Sequence, residues 1–395
     1  MKACDVLVIG AGVVGCSVAF HLAQLGAGRV TVLERRQVGA GTTAQSSGIL
    51  RTHYSVAENV ELARRSWAVF EDFAAYVDDP QASAGLVRCG YLIAAPPGPK
   101  RAALQAALAQ QAAFGIPVEI VSAAQAARLL PIARFDEAEL IGHEPEAGHA
   151  DAYLVATAFA RAARRRGVRL LEGVEVRALR REGGRVVGVE TSQGPLDAGV
   201  VVSTQNIWAR EIEAWTGIAS PVTAERHRVL ALEAPGAAYT PAMPVFKDLG
   251  SPGMLYARSY GARQMLVSEG LPGETLAGPD DRQGAVDMDF IVDIGAQVSE
   301  RFPAWAEAGL ASSWTGVYDV TPDWNPVLGP LPGVPGLVVG YGFSGHGFKL
   351  SPAVGRLLAQ AALGLPTEVA LAPYALERFN AGRLLTGAYG RGAVS

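Results

Sequence analysis

The chain has 395 residues, of which 49% are hydrophobic and 18% are charged, and its formal net charge at pH 7 is −4. This length and apolar content suffice for two closely joined domains with substantial cores, and the slightly acidic balance offers no basic field for nucleic acid. The three cysteines, Cys4, Cys16 and Cys89, lack metal-ligand spacing and predict a reduced, cytoplasmic protein without a metal site.

Targeting and membrane segments are not expected. The first strand begins within about three residues of the N-terminus, which leaves no room for a signal peptide. No apolar run approaches the roughly 20 residues that a membrane-spanning helix needs.

The first forty residues predict a βαβ unit. Four consecutive aliphatic residues mark 4–9 as a buried parallel strand, a helix follows at 13–25, and a second apolar strand spans 29–34. Gly10, Gly12 and Gly15 form the pattern GxGxxG at the first crossing, where glycines permit a tight turn and close approach of a pyrophosphate to the helix N-terminus. The unit therefore predicts a dinucleotide site.

An acidic residue ends the second strand of this unit. Glu34 lies 24 positions after Gly10, where a carboxylate can accept hydrogen bonds from the ribose hydroxyls of adenosine and repel a 2′-phosphate. Residues 35–48 contain few core-forming side chains and many small hydroxyl residues. We interpret this segment as a loop over the cofactor, with a plain surface loop as the alternative.

The remaining elements alternate between helical and strand-like patterns, and the pattern changes after residue 223 to strands separated by Pro and Gly, which indicates an antiparallel sheet over the site. In chain order we predict helix 60–76, strand 86–95, helices 100–114 and 123–130, an irregular segment 140–151, helix 152–166, strand 168–176, hairpin 177–191, strands 198–204, 228–233 and 264–268, helix 290–302, strand 336–340 and helix 351–363.

Several motifs together resemble one enzyme family over nearly the whole chain. They are GAGVVG at 10–15, GTTAQSSGILRTHY at 41–54, AGHAD at 147–151, DVTPD at 319–323 and GFSGHGFKLSPAVG at 342–355. The chain resembles the FAD-dependent oxidoreductases of the D-amino acid oxidase family. It is most similar to the branch with monomeric sarcosine oxidase, the β subunits of sarcosine oxidase and proline dehydrogenase, and dimethylglycine dehydrogenase.

The resemblance implies an α/β fold (α+β overall) with two domains interleaved in sequence. A glutathione-reductase-like FAD-binding Rossmann domain would comprise 1–85, 142–222 and 320–395, and a mostly antiparallel catalytic domain 86–141 and 223–319. The expected cofactor-binding residues are Gly10, Gly12, Val13, Val14, Gly15, Glu34, Arg35, Arg36, Thr42, Thr43, Gln45, Ser46, Ser47, Gly48, Val174, Gly342, Phe343, Ser344, Gly345, His346, Gly347, Phe348 and Lys349.

The implied activity is oxidation of a C–N bond in a small secondary or N-methylated amino acid, with a hydride passing to flavin N5 and an imine that water hydrolyses. The expected catalytic residues are Arg51, Tyr256, Arg258, His346 and Lys349. The alternatives are a D-amino acid or opine dehydrogenase and, outside self-sufficient enzymes, a FAD-binding electron-relay subunit of a hetero-oligomer. The expected partners are a small amine or amino acid and either a second redox subunit or further copies of the chain. An NAD-linked dehydrogenase is a third alternative.

The chain departs from the family pattern where relatives attach or activate the flavin. Gly316 stands where monomeric sarcosine oxidase has its FAD-linked cysteine, and Gln45 where dimethylglycine dehydrogenase has its FAD-linked histidine, so non-covalent FAD is expected. The oxygen-activating lysine of the oxidase would fall within 263–267, which is apolar apart from Arg263 and Gln264. A dehydrogenase is therefore favoured over an oxidase.

Other positions leave alternatives open. Arg51 matches one of the family's paired site arginines, whereas Gly48 occupies the other position, so Arg51 is a candidate for substrate, flavin or surface binding. His227 could bind a carboxylate, although a structural role is the simpler interpretation. Relatives usually have small residues where this chain has Thr204-Gln205-Asn206, whose role the sequence leaves open.

Overall fold

Two large sheets organise the chain in the computed structural model, which describes residues 3–236, 242–278, 280–281 and 286–387. The two ends of the predicted FAD-binding domain, at 1–2 and 388–395, and short parts of the predicted catalytic domain at 237–241, 279 and 282–285, lie outside the described residues. The fold is a mixed α/β fold, as predicted.

The strands in chain order are β1 (Cys4–Ile9), β2 (Val30–Glu34), β3 (Ile49–Leu50), β4 (Val87–Arg88), β5 (Tyr91–Ala95), β6 (Glu119–Val121), β7 (Leu140–Glu144), β8 (Gly148–His149), β9 (Arg169–Glu172), β10 (Val176–Glu182), β11 (Arg185–Thr191), β12 (Gly194–Ser203), β13 (Thr223–Glu233), β14 (Val245–Asp248), β15 (Tyr256–Tyr260), β16 (Gln264–Ser268), β17 (Glu274–Thr275), β18 (Gly309–Val320), β19 (Val327–Pro330) and β20 (Leu337–Tyr341). The α-helices are α1 (Val13–Gln24), α2 (Ala57–Glu71), α3 (Phe73–Tyr76), α4 (Pro99–Ala113), α5 (Ala123–Leu129), α6 (Ala152–Arg165), α7 (Arg210–Thr216), α8 (Met288–Arg301), α9 (Gly347–Ala362) and α10 (Glu377–Asn380).

The first sheet has a parallel centre. Its strands run in the order β9, β2, β1, β12, β20 and β19, all parallel except β19, while β10 and β11 extend the first half of β12 as an antiparallel meander. Helices α1, α2, α6 and α9 contribute to the main core beside it. Helix α9 approaches α1 closely because Gly355 has no side chain; a Cβ there would stand 2.1 Å from Ser17 Oγ.

The second sheet is mostly antiparallel, as predicted. Its order is β17, β13, β16, β15, β14, β5, β7 and β6, with β18 also paired to β13, and β14 with β5 is its one parallel pair within the described residues. Helix α8 and the buried ring of Trp305 contribute to its separate core. The carboxyl ends of the parallel strands in the first sheet and one face of this sheet enclose the cavities described below.

Several predicted boundaries were wrong for identifiable reasons. The segment 140–151 is not irregular, because β7 pairs with β5 and β6, and β8 with β3 and β4, through contacts distant in sequence. The helix predicted at 60–76 is interrupted at Asp72, and the strand predicted at 168–176 at Gly173. Helix α9 begins at Gly347 rather than 351, so Pro352 lies inside it and residues 347–349 form its first turn.

The C-terminal segment is fixed by a buried ion pair. Arg378 donates from Nε to Asp323 Oδ2 at 2.7 Å and from Nη2 to Asp323 Oδ1 at 3.0 Å, with both side chains at most 2% exposed. The backbone N–H of Leu385 also donates to this carboxylate at 3.1 Å. Within the described part of the chain, no helix is both long and apolar enough to span a membrane.

Candidate functional site

Three adjoining cavities form the candidate site, with empty volumes of about 720, 750 and 710 Å³. The glycine-turn cavity is lined by Gly10 and Glu34, the central cavity by Gln45 and Gly347, and the cationic cavity by Arg51, Lys247 and Lys349 among others. The first two share Gly12, Thr42, Thr43, Thr204 and Asn206, and the last two share Ser47, Tyr318 and Gly345. The shared walls make one continuous site.

The three motif glycines have different surroundings. Gly10 has φ +95°, and a Cβ on Gly15 would stand 1.9 Å from Gly10 O, so both positions exclude side chains. A Cβ on Gly12 would meet only Thr43 Oγ1, at 3.2 Å, and would otherwise project into open space. Val13 and Val14 line the central cavity, and the Val13 N–H donates to Thr43 Oγ1 at 3.0 Å. The turn therefore leaves an open cradle at Gly12.

Glu34 is fixed at the end of β2. Its Oε2 accepts the Ala11 N–H at 2.9 Å and its Oε1 the Arg36 N–H at 2.8 Å, while the backbone N–H of Val174 donates to Glu34 O at 2.9 Å. Arg35, Arg36 and Val174 line the same cavity. Since a carboxylate oxygen can accept more than one hydrogen bond, Glu34 keeps acceptor capacity for hydroxyl groups.

The residues 204–206, whose role the sequence left open, join two parts of the wall. Thr204 Oγ1 donates to Ile9 O at 2.8 Å, and Gln205 Nε2 donates to Glu211 Oε2 at 2.6 Å. Asn206, at φ +52°, accepts the Thr42 hydroxyl through Oδ1 at 3.1 Å. These bonds tie the segment after β12 to β1, to α7 and to the loop after β2.

Most of the predicted loop residues line the central cavity, and two glycines shape it from behind. Gly48 and Gly342 have φ +70° and +73°, and a Cβ would stand 2.1 Å from Ala150 O and 2.3 Å from Thr321 Cγ2 respectively. Neither glycine lines a cavity; each permits a turn. Besides residues of the glycine turn, nine of the predicted cofactor-binding residues line the central cavity: Thr42, Thr43, Gln45, Ser46, Ser47, Phe343, Gly345, Gly347 and Phe348.

Asp319 anchors the terminal glycine-rich loop. Its carboxylate accepts the Gly342 N–H, and its carbonyl accepts the Ser344 N–H at 3.2 Å. Burial raises the pKa of this carboxyl to about 7, although the backbone N–H groups of the loop lower it. The His346 N–H donates to Phe343 O at 2.8 Å, so this backbone donor is engaged within its own loop.

The cationic cavity brings together four of the five predicted catalytic residues. Arg51, Tyr256, His346 and Lys349 line it, and Arg51 is 8% exposed. Arg258 does not line it: its guanidinium donates to Ser47 O and Ser259 O and lies 3.4 Å from His149 Nδ1, which supports the cavity wall from outside.

Arg51, Lys247 and Lys349 give the cavity a cationic lining, and burial lowers the pKa of its lysines and histidines. Burial, followed by the charge of Arg51, holds the pKa of Lys349 well below its usual range. Burial, followed by the charges of Lys349 and Arg51, also holds the pKa of His346 well below its usual range. The pKa of His227 is lowered to about 4 by burial and Arg228, and its ring stacks on Tyr318 at 3.9 Å.

Two charged side chains in or beside this cavity were not predicted from the sequence. Lys247 on β14 lines the cavity at 6% exposure, whereas Arg263, the expected cation of that region, is turned away and donates to Gly236 O. Glu144 on β7 accepts the Thr52 N–H at 2.7 Å and the Thr52 hydroxyl at 2.6 Å, and so fixes the residue next to Arg51. An isolated lysine in a strand-like run, VFKD, was the available signal for Lys247.

Comparison with known proteins gives the family. Residues 5–361 match the family model DAO, described as FAD dependent oxidoreductase. The chain is 27% identical over 390 residues to mitochondrial sarcosine dehydrogenase of Mus musculus, covering 95% of this chain but 41% of that protein. It is 27% identical over 400 residues to sarcosine oxidase subunit beta of Rhizobium meliloti (strain 1021), covering 96% of this chain and 89% of that one.

A solved structure of similar shape is the L-proline dehydrogenase of P. horikoshii. It superposes with a TM-score of 0.88 at 26% identity and covers 97% of this chain and 99% of that chain. The mouse relative is therefore more than twice as long as the part that matches this chain, whereas the proline dehydrogenase chain matches almost end to end.

Proposed function

Because the chain belongs to the DAO family of FAD-dependent oxidoreductases, we propose that it oxidises the C–N bond of a small secondary or N-methylated amino acid to an imine, which water then hydrolyses. FAD supplies the hydride acceptor for this chemistry. The observation that carries the proposal is the arrangement of the three adjoining cavities, which places the glycine turn and Glu34 at one end and the cationic cavity at the other.

The residues of the first two cavities fit FAD. The open cradle at Gly12 and the N-terminus of α1 suit a pyrophosphate, and Glu34 suits the ribose hydroxyls of adenosine. The central cavity, between the loop at 42–47 and the loop at 343–348, suits the flavin ring. We propose that the two sheets correspond to the FAD-binding and catalytic domains, with the predicted boundary at 141/142 moved past β7, because residues 140–144 pair with β5 and β6 in the second sheet.

We propose that FAD is held without a covalent bond. The described lining of the central cavity contains neither cysteine nor histidine, and both Gln45 and Gly316 face it. Cys4, Cys16 and Cys89 line none of the three cavities.

Arg51 and Lys349 are the proposed anchors of the substrate carboxylate. Burial first and the charge of Arg51 second lower the pKa of Lys349, and a carboxylate bound beside both cations offsets these costs. Arginine can bind a carboxylate through two parallel hydrogen bonds. The same positive field favours the neutral form of the substrate amine, which is the form that donates a hydride, so no strong general base is needed.

The terminal loop provides donors for negative charge in the central cavity. The N–H groups of Gly345 and Gly347 have no acceptor among the described residues, and they lie at the N-terminus of α9, where the helix dipole is positive. Lys349, in the first turn of this helix, lines the cationic cavity instead. We propose that the two N–H groups stabilise charge on a reduced flavin.

The electron acceptor is a separate question. The preference for a dehydrogenase depended on the uncharged strand 264–267, and Lys247 on a different strand now weakens that reasoning. The alternative of an electron-relay subunit is supported by the likeness to a sarcosine oxidase β subunit. A reduced, cytoplasmic location stays a prediction from cysteines that are all unpaired.

The first experiment is a visible spectrum before and after acid precipitation, followed by anaerobic addition of sarcosine, dimethylglycine, proline and D-alanine. We expect a yellow supernatant and bleaching by secondary or N-methylated amino acids. Colour retained in the pellet would contradict non-covalent binding. Bleaching by D-alanine alone would support the D-amino acid alternative, and bleaching by none would favour the relay subunit.

A further inference from the structure

The cationic cavity contains one more positive side chain than a single carboxylate requires. Lys247 enters from β14, on the second sheet, whereas Arg51 follows β3 and Lys349 lies in α9. Its Nζ lies 5.8 Å from the centre of the Tyr256 ring, and a Cβ on Gly270 would stand 1.6 Å from it. Since Tyr256 and Gly270 also line the cavity, the ammonium group is positioned at the cavity wall.

The acidic residues near Lys247 are already engaged elsewhere. Asp248, its neighbour in sequence, forms an ion pair with Arg301 at 2.8 Å. Glu269 lines the cavity but is paired with Arg228 at 3.1 Å. Lys247 itself has no hydrogen bond or ion pair with any residue that the structure describes.

We infer that the substrate carries a second anionic group, a carboxylate, which binds Lys247 while Arg51 and Lys349 bind the first. This inference rests on the proposed function and narrows its substrate class to secondary amino acids with two carboxylates. A buried cation without a partner is costly, and the second carboxylate supplies the missing charge.

The electrostatics of the cavity agree with this assignment. Burial and then the charge of Arg51 lower the pKa of Lys247 to about 7, and Asp248 only partly opposes them. A carboxylate beside Nζ raises that pKa again and keeps the lysine charged.

The test compares matched substrates that differ by one carboxylate: sarcosine with iminodiacetate, and N-methyl-L-alanine with N-methyl-L-aspartate. The parent should prefer at least one dicarboxylate, by about tenfold or more in kcat/KM. Lys247→Met should lower kcat/KM for that dicarboxylate about 10- to 100-fold and leave its monocarboxylate partner within about threefold. Lys247→Arg, which keeps the charge, should retain the preference. Arg128→Met is the control, since Arg128 is an exposed residue of α5 that lines none of the three cavities.

A preference for both monocarboxylates in the parent, or an equal change for both members of a pair in Lys247→Met, would overturn the inference. A binding experiment tests the inference without turnover. The affinities of thiodiacetate and (methylthio)acetate are measured from changes in the flavin absorbance of the holoprotein. Tighter binding of thiodiacetate that Lys247→Met abolishes supports the inference, and equal binding refutes it. If this arm succeeds while no amine bleaches the flavin, the proposed oxidation fails and the dicarboxylate site stands.

Discussion

Replacing Arg51 by Gln should raise KM for a carboxylated substrate with little effect on FAD binding. Arg51 is 8% exposed and lines the cationic cavity, and it does not line the two cavities that fit FAD. Loss of one charge-assisted hydrogen bond costs about 1.5–3 kcal/mol, which corresponds to about a 10- to 150-fold increase in KM. Arg51→Lys keeps the charge but loses the planar fork, so it should give a smaller increase.

The structure also predicts how the loss of substrate binding in Arg51→Gln depends on Lys349. The charge of Arg51 is one cause of the lowered pKa of Lys349, so its removal leaves Lys349 more fully protonated and able to compensate. Arg51→Gln with Lys349→Met should therefore lose more binding than the sum of the single losses.

The assay is anaerobic reduction of the flavin over a substrate series, with binding of (methylthio)acetate measured in parallel. Arg128→Gln, an exposed arginine of α5 that lines none of the three cavities, is the matched control. The reasoning would be refuted by an unchanged KM and an unchanged affinity for the analogue in an Arg51→Gln protein that retains its full complement of flavin.

Three further predictions concern the cofactor, pH and stability. Gly12→Ala should weaken FAD binding and leave the melting temperature of the apoprotein nearly unchanged. Gly15→Ala should lower both the FAD affinity and the melting temperature, because only the Cβ at residue 15 meets backbone atoms. Flavin fluorescence titration and thermal melts distinguish the two variants. Burial raises the pKa of Glu144 to about 7. This carboxyl therefore stabilises the folded state below pH 4.5, and the stabilisation is lost as the pH rises towards 7. Glu144→Gln lacks this titrating carboxyl. As the pH rises from 4.5 to 8, the free energy of unfolding of the variant should therefore increase by about 3 kcal/mol relative to that of the parent. A parallel pH dependence of the two proteins would contradict this. Asp323→Asn should cost about 3–5 kcal/mol in denaturant unfolding because it leaves Arg378 buried without its counter-charge, and a loss below 1 kcal/mol would show that the pair is dispensable.

Much of the first sheet and its cofactor site is predictable because its signals are local. The apolar strand, the glycine turn and the following helix are consecutive in sequence, and the structure has them as β1, residues 10–15 and α1. Glu34 ends β2 as expected. The terminal loop was also identified from its glycines, although the helix after it starts one turn earlier than predicted.

The cationic cavity was only partly predictable. Arg51 and Lys349 belong to recognisable motifs, but Lys247 and Glu144 lie on strands whose partners are far away in sequence. Glu144 fixes Thr52 across 92 positions, and no pattern around residue 144 indicates that contact.

The sequence by itself determined β1, β2, the glycine turn and the family, because each depends on a pattern within a few neighbouring residues or on a motif. Only the tertiary structure decided which charges face one another. Sheet pairing brings Lys247 to the same cavity as Arg51, turns Arg258 to the outside of its wall, and occupies the His346 N–H within its own loop. Charge and burial act through space, so the chemistry of this site depends on distances that the order of residues does not contain.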